Sequence, residues 1–492
     1  MSVIDRIRAS AGRLTLCGLG VFALGFGVQW NHGNLSTLGL FLVLLSAALA
    51  GAALCRGRWH QSRGWWAVIA ALCGLTMLHY PLPLVPQSNG GVQIVFVALL
   101  TASATAGAWL PEGRRADALV GLAWLSLVGL VAASWTWGKA QIDLFTAMMG
   151  GSERLLQGHN PYGPVFTYVI GTTPLKIAQG RFPYGPIVPF LAAPGRLIGD
   201  VRVMSVVAVT MIVAGLWRLT RQGDQRSQAH RVVAVAIASP LSAAMIHQSW
   251  VDVYMLAGIV WWLALRRDHR RLSMVALAIG MLVKPTSLIL LVPAFLWSHR
   301  ARIECVIGGV GALVVTLPFA LATGVGTFVY AVLGIQLASP FRTDSLNLAA
   351  YLFRLAHWVP PTTLLPIVLL VVAVAVIAWR GRPVVEGDLA IQAAILQVVA
   401  FAFAKEAAFN YYFAPEIMLL AAMAGAGVPL LPEDVSLPWT SSIARISRLL
   451  GMKGHQPVTW PGNTASAHHS LWREPQLHGG SAGSSHAISR VR

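Results

Sequence analysis

Residues 272–297 read LSMVALAIGMLVKPTSLILLVPAFLW. An apolar run of about 20 residues is enough to cross a bilayer, so this stretch could pass once through a membrane. The charges around it argue otherwise. Arg270 and Arg271 precede it, and Arg300 and Arg302 follow it. Basic residues mark the cytoplasmic side of a span, so both ends lie on one side. Lys284-Pro285 sits in the middle, and proline removes a helical hydrogen-bond donor. The stretch is therefore predicted to be two short helices that meet at a break near the outer half of a membrane. Irregular backbone at that depth is tolerated where it lines a cavity.

The rest of the chain agrees with a membrane solvent. Of 492 residues, 56% are hydrophobic and only 11% charged, with a mean hydropathy of +0.65. A soluble domain of this size carries more charge. The net charge of +18 is not read as a nucleic-acid signal, because the basic residues fall in short clusters between apolar segments. These clusters are Arg56, Arg58 and Arg63; Arg114 and Arg115; Arg218, Arg221, Arg226 and Arg231; Arg266, Arg267, Arg270 and Arg271; Arg300 and Arg302; and Arg380 and Arg382. Placed in the cytoplasm with both termini, they predict an all-α, polytopic membrane helix bundle of about 12–14 transmembrane helices. Parity makes Pro186–Ile198 an interfacial or re-entrant helix on the outer face and Val201–Leu219 the crossing. Cys17, Cys55, Cys73 and Cys305 lack metal-ligand spacing and read as packing residues. The run from Leu14 to Trp30 lacks a small-residue cleavage site and reads as an uncleaved first span. Large outer loops are expected at about 138–200 and 323–362, and a polar, disordered cytoplasmic tail at 431–492.

Ionisable residues at membrane depth are costly and mark function. Asp143, Arg202, Asp252, Lys284, Arg342, Asp344, Lys405, Glu406 and Glu416 all map to outer helix ends or loops, none to the middle of an intact span. That one-sided pattern favours chemistry at the outer leaflet over an ion relay. Two outer segments are dense in turns and aromatics: IDLFTAMMGGSERLLQGHNPYGPVFTY at 142–168 and RFPYGPIVP at 181–189. A third, KEAAFNYYF at 405–413, adds tandem tyrosines. Such tyrosines can equally form an aromatic belt. Asp143 can equally be a solvated helix-end carboxylate, Lys284 can pair with either an anionic headgroup or Asp252, and Arg202 and Arg342 can snorkel or bind phosphate.

The order of these elements resembles the GT-C superfamily of integral-membrane glycosyltransferases. An outer-loop Asp143 is followed by LLxGxNPY, FPYGP with an interfacial helix, a span opening with Arg202, the outer Asp252, Lys284-Pro285 and a late K-x4-NYY. The branch most similar is the bacterial polyprenyl-phosphate-dependent one that includes the α-mannosyltransferases of phosphatidylinositol mannoside synthesis. The resemblance covers about residues 118–430. In that family the acidic loop follows the first span, whereas four spans precede it here, so residues 1–117 read as an N-terminal extension.

The resemblance implies inverting transfer of a sugar, mannose favoured, from a polyprenyl phosphate donor to a lipid or glycan acceptor on the outer face of the cell membrane. Asp143 would be the general base. Lys284, Arg202, Arg342 and Lys405 would hold the donor phosphate. Asn160, Tyr162, Tyr184, Asp252, Asn410, Tyr411 and Tyr412 would line the substrate pocket. Some members use a divalent cation, but Asp143 with Glu153 is too thin a set to require one, so no metal site and no cofactor is assigned. Two other classes stand beside this one: a transporter or lipid flippase, and a non-catalytic relative that binds polyprenyl lipid.

Overall fold

The computed structural model describes residues 12–31, 33–55, 63–79, 90–135, 143–170, 176–223, 226–380, 383–407 and 409–430. All belong to one unit, Met1–Ser436. The tail expected at 431–492 lies outside the described residues.

Among the described residues the first five helices are α1 Arg13–Gln29, α2 Thr37–Leu54, α3 Arg63–His79, α4 Gly90–Trp109 and α5 Arg114–Trp135. The 138–200 segment then holds α6 Asp143–Leu156, the strands β1 Phe166–Ile170 and β2 Lys176–Gly180, and α7 Ile187–Ile198. The strands pair antiparallel, Phe166 opposite Gly180 and Ile170 opposite Lys176. This hairpin departs from the all-α expectation. The run Phe-Thr-Tyr-Val-Ile is β-branched and aromatic throughout, which suits a pleated surface better than a helix.

Next come α8 Arg202–Arg221, α9 Ala229–Ala238, α10 Pro240–Gln248, α11 Asp252–Leu265, α12 Arg270–Val283, α13 Ser287–Trp297 and α14 His299–Thr323. The 323–362 segment holds α15 Val325–Val329, a π turn at Tyr330–Gly334, α16 Ile335–Ala338 and the amphipathic α17 Leu348–Ala356. The fold closes with α18 Leu364–Arg380, α19 Glu386–Ala402 and α20 Phe409–Ala424.

Among the described residues, α2, α4, α5, α8 and α14 have the length and composition to cross a membrane. The pair α9–α10 qualifies as a sixth if its 55° bend is counted within one span. Other apolar runs, α1, α3, α11, α13 and α18 among them, form helices of 10–17 residues.

Both breaks in the apolar helices fall before a proline, where the preceding residue is driven out of the α region. Lys284, before Pro285, is extended (φ −155°, ψ 134°), and Ser239, before Pro240, has ψ 129°. The Ser239 hydroxyl accepts from Leu241 N at 3.2 Å, and Ser242 Oγ donates to the Ala236 carbonyl at 2.9 Å. Side chains thus satisfy backbone groups that a continuous helix would have paired.

The innermost helices are α9, α10, α11, α19 and α20, whose residues are almost all buried. The periphery is apolar but open: α14 exposes Val310, Leu313, Val314 and Leu321, and α18 exposes Leu364, Ile367 and Val371. A soluble surface rarely shows apolar area so continuous.

The amino-terminal helices are built into this bundle. Helix α1 packs on α2 and α20. Leu35 N donates to the Asp344 carbonyl at 2.7 Å, and Arg13 pairs with Asp388 at 2.6 Å.

At the Leu265 end of α11, Arg266 is fully buried. It donates from Nη1 to both oxygens of Glu386 at 3.1 Å and from Nη2 to Ser298 Oγ at 3.3 Å. Glu304 accepts from Trp262 Nε1 at 2.8 Å and Arg300 Nε at 2.9 Å. Sequence alone put Arg266 and Arg300 in cytoplasmic basic clusters; Arg266 is buried and closes a charge-balanced interior network. Buried charge persists only when paired in this way.

Candidate functional site

The helix break at Lys284 and the start of α20 meet at the first turn of α11. Lys284 Nζ lies 3.1 Å from Asp252 Oδ1 and 3.4 Å from Oδ2. Asn410 Nδ2 donates to Asp252 Oδ2 at 3.2 Å, and the ammonium stands 4.6 Å from the centre of the Tyr411 ring. Lys284 is 8% exposed and Asp252 2%, so the pair is held away from water. Lys284, expected to hold the donor phosphate, thus meets Asp252, Asn410 and Tyr411, which were expected to line the substrate pocket.

Polar atoms are left over here. Asn410 Oδ1 is buried without a hydrogen-bond partner. So are Gln248 Oε1 and Ser249 Oγ, within four residues of Asp252 along the chain, and Ser287 Oγ, three after Lys284. Buried polar groups are normally satisfied, so unpaired ones beside a buried ion pair fit a site that receives a polar ligand. Ser249 also takes a left-handed φ of 55°, a strained choice for a residue with a Cβ.

The FPYGP segment is docked onto the same break. Gly185 N donates to the Val283 carbonyl at 3.1 Å. A Cβ on Gly185 would stand 1.5 Å from the Leu282 oxygen, so only glycine allows this approach. Tyr162, fully buried, donates its hydroxyl to the Tyr184 carbonyl at 2.5 Å. Its ring packs against Phe182, Phe319 and Phe328, and this burial pushes the phenol pKa above its usual range. Asn160 Oδ1 accepts from Tyr162 N at 3.0 Å, and Nδ2 donates to Thr323 Oγ1 at 2.8 Å. Asn160 and Tyr162 thus shape the loop, and Tyr184 lies half-buried next to the break.

Asp143 is the first residue of α6; its side chain lies outside the described residues. Two positions on, Phe145 packs under the Arg202 guanidinium, 5.4 Å from its ring centre, and Trp135 lies 5.6 Å away. Arg202 is gripped by Asp200, through Nε at 3.0 and 2.9 Å and Nη2 at 2.6 Å. Sequence reading had not weighed Asp200 as the partner of Arg202, although only two residues separate them.

Arg342 pairs with Asp344 (Nη2–Oδ2 2.7 Å) and with Glu406 (Nη1–Oε1 2.8 Å), and remains 44% exposed at its side chain. The hydrogen bonds that Arg342 donates to Asp344, reinforced by Glu406, hold its guanidinium pKa above even the usual arginine range. Lys405 Nζ donates to the Leu337 carbonyl at 2.6 Å. Tyr412 points inward, its hydroxyl on the Leu346 carbonyl. Asn347 Nδ2, on the Ala404 carbonyl at 2.8 Å, completes a clasp between 342–347 and 404–407. Among the described residues no hydrogen bond or ion pair links these side chains to Lys284 or Asp252.

Glu416 corrects one expectation. It was placed at an outer helix end, but α20 starts at Phe409 and continues through Pro415, which puts Glu416 halfway along a buried helix. It accepts a hydrogen bond from Ser239 Oγ at the α9–α10 bend. Its second oxygen is buried and unpaired.

Among the described residues no group of three His, Cys, Asp or Glu could hold a metal ion. Comparison of the chain with family models, with curated proteins and with solved structures returned no match.

Proposed function

We propose that the protein is an integral-membrane glycosyltransferase that moves a sugar, mannose favoured, from a polyprenyl phosphate donor to a lipid or glycan acceptor on the extracytoplasmic face of the cell membrane. The observation that carries this reading is the buried Lys284–Asp252–Asn410 cluster beneath the docked FPYGP segment, with polar atoms left unpaired. An ammonium has three donors, so Lys284 can hold Asp252 and also meet an anionic oxygen. In the proposed reaction the acceptor hydroxyl oxygen attacks C1 of the sugar as the C1–O bond to phosphate breaks. The hydroxyl proton passes to the Asp143 carboxylate, and polyprenyl phosphate leaves with its negative charge stabilised by Lys284. Asp252 and Asn410 fix the ammonium, and Tyr184 and Tyr411 offer ring faces to the sugar.

A second reading has one specific observation in its favour. Glu416, a carboxyl at helix mid-depth against a broken span, is a feature of transporters. One experiment separates the two. Protein in nanodiscs is given labelled polyprenyl phosphate sugars, and release of polyprenyl phosphate and label transfer are followed for wild type, Asp143→Asn and Glu416→Gln. Turnover abolished by Asp143→Asn and kept by Glu416→Gln supports the enzyme. No turnover with any donor, together with Glu416-dependent substrate uptake into liposomes, supports the transporter and removes the enzyme.

A further inference from the structure

An apolar groove of about 320 Å³ runs along the outside of the bundle where α8, α11 and α12 meet. Met204 and Met211 form one wall, Trp261 and Leu265 the second, and Leu272 and Val275 the third. Its floor is backbone. A Cβ on Gly258 would meet the Ala276 carbonyl at 2.6 Å and Gly280 N at 2.7 Å, so α11 and α12 touch there and leave a channel beside the contact. Trp261 Nε1 donates to the Met211 carbonyl at 2.8 Å and holds α8 against α11. From Tyr254 to Leu265 the groove follows roughly 16 Å of helix, at about 1.5 Å per residue.

The two ends differ in charge. Near Met204 the guanidinium of Arg202 is held by Asp200 at 2.6 Å. The other end opens at Leu265 and Leu272, and the six-residue link between them, RRDHRR, contains four arginines and one aspartate.

Three arginines at that end are engaged: Arg266 with Glu386, Arg300 with Glu304 and Arg218 with Asp268. Among the described residues the guanidinium groups of Arg267, Arg270 and Arg271 have no hydrogen bond, ion pair or ring contact. Arg271 adjoins Leu272 and lies one turn before Val275, both of which line the groove. First-turn acidic residues and a side-chain cap are lacking on α12, so the positive end of the helix adds to this field.

We propose that this groove binds an acyl chain of an anionic phospholipid, with its headgroup phosphate held by Arg271, Arg270 and Arg267. The inference rests on the membrane placement of the function proposed above and not on its sugar-transfer chemistry. Guanidinium groups match phosphate oxygens in pairs, and basic pockets between helices on the cytoplasmic side suit anionic headgroups. The chain packs against both α11, which carries Asp252, and α12, which leads into Lys284.

The test uses the full chain in nanodiscs of phosphatidylcholine mixed with phosphatidylglycerol, followed by gentle release and native mass spectrometry of retained lipid. Wild type is expected to retain phosphatidylglycerol over phosphatidylcholine by about tenfold or more. Arg267→Gln/Arg270→Gln/Arg271→Gln, all outside the core, should lose that preference with unchanged circular dichroism. Ala257→Phe, which fills the groove, should lose retained lipid of either kind. Equal retention of both lipids by wild type overturns the proposal. So does a preference that survives in the triple arginine variant, and a loss confined to Ala257→Phe shows that the chain belongs to a lipid held from the other end. Donor turnover is read separately, so failure of the transferase reading leaves this result interpretable.

Discussion

The amide of Gly185 donates to the carbonyl of Val283 at 3.1 Å, one residue before Lys284. A loop segment more than 90 positions upstream is thereby joined by backbone to the break that sets the buried lysine. The Lys284 pair, the FPYGP loop and the start of α20 behave as one assembly, and the following expectations test that.

Gly185→Ala places a methyl group 1.5 Å from the Leu282 oxygen, and backbone cannot yield that far. The loop should lift off while the bundle stays folded. Protease cleavage between 160 and 186 should become faster, and sugar transfer should fall by about a hundredfold, the scale of an ångström of misplacement. Wild-type turnover in this variant would show that the loop is irrelevant to the site.

Removing one partner of the buried pair should cost more than removing both. Asp252→Asn and Lys284→Met should each destabilise the protein by about 3–5 kcal/mol, and the double variant should recover most of it, because an unpaired buried charge is the costly state. Thermal unfolding of the four proteins gives the coupling. Strict additivity would mean the pair is solvated.

Arg342→Gln separates a clasp from a phosphate ligand. Its ion pairs are 44% exposed, so the stability loss should stay below about 1 kcal/mol. As a clasp residue it should lower turnover no more than a few-fold. A loss of two orders of magnitude with intact donor-free stability would put Arg342 on the phosphate.

Glu416→Gln should melt at or above the wild-type temperature. The amide keeps an oxygen for the Ser239 hydroxyl and removes the chance of a buried charge that no cation among the described residues pairs with. A drop of several degrees would show that the carboxylate itself is required, for instance by a bound ion.

The break at Lys284-Pro285, and Asp252 as one of two partners open to Lys284, were legible because charge inside an apolar run has to find a partner; the approach of Asn410 and Tyr411 was not. The partners of the other cations were harder to read. Asp200 lies two residues from Arg202 and Glu406 lies 64 residues from Arg342, and nothing in their sequence context names these cations as their partners. Tyr412 and Tyr411 are neighbours with opposite fates, because successive helical residues point about 100° apart and only the position of α20 decides which one meets Lys284. The depth of Glu416 depended on where α20 starts, and helix ends are the least legible feature of a sequence. The β1–β2 hairpin was missed because 138–200 read as a turn-rich outer loop, and the short β-branched run Phe166–Ile170 was not read apart from it.

The seam joining Leu35 to Asp344 and Arg13 to Asp388 bears on how specificity can be studied. Helix α1 packs along α20, the helix that supplies Asn410 and Tyr411 to the Lys284 pair. A chain shortened to begin at residue 118 would strip α20 of a packing neighbour. Its silence in an assay would report a collapsed wall, and chimaeras exchanging amino-terminal helices would need to exchange α20 with them.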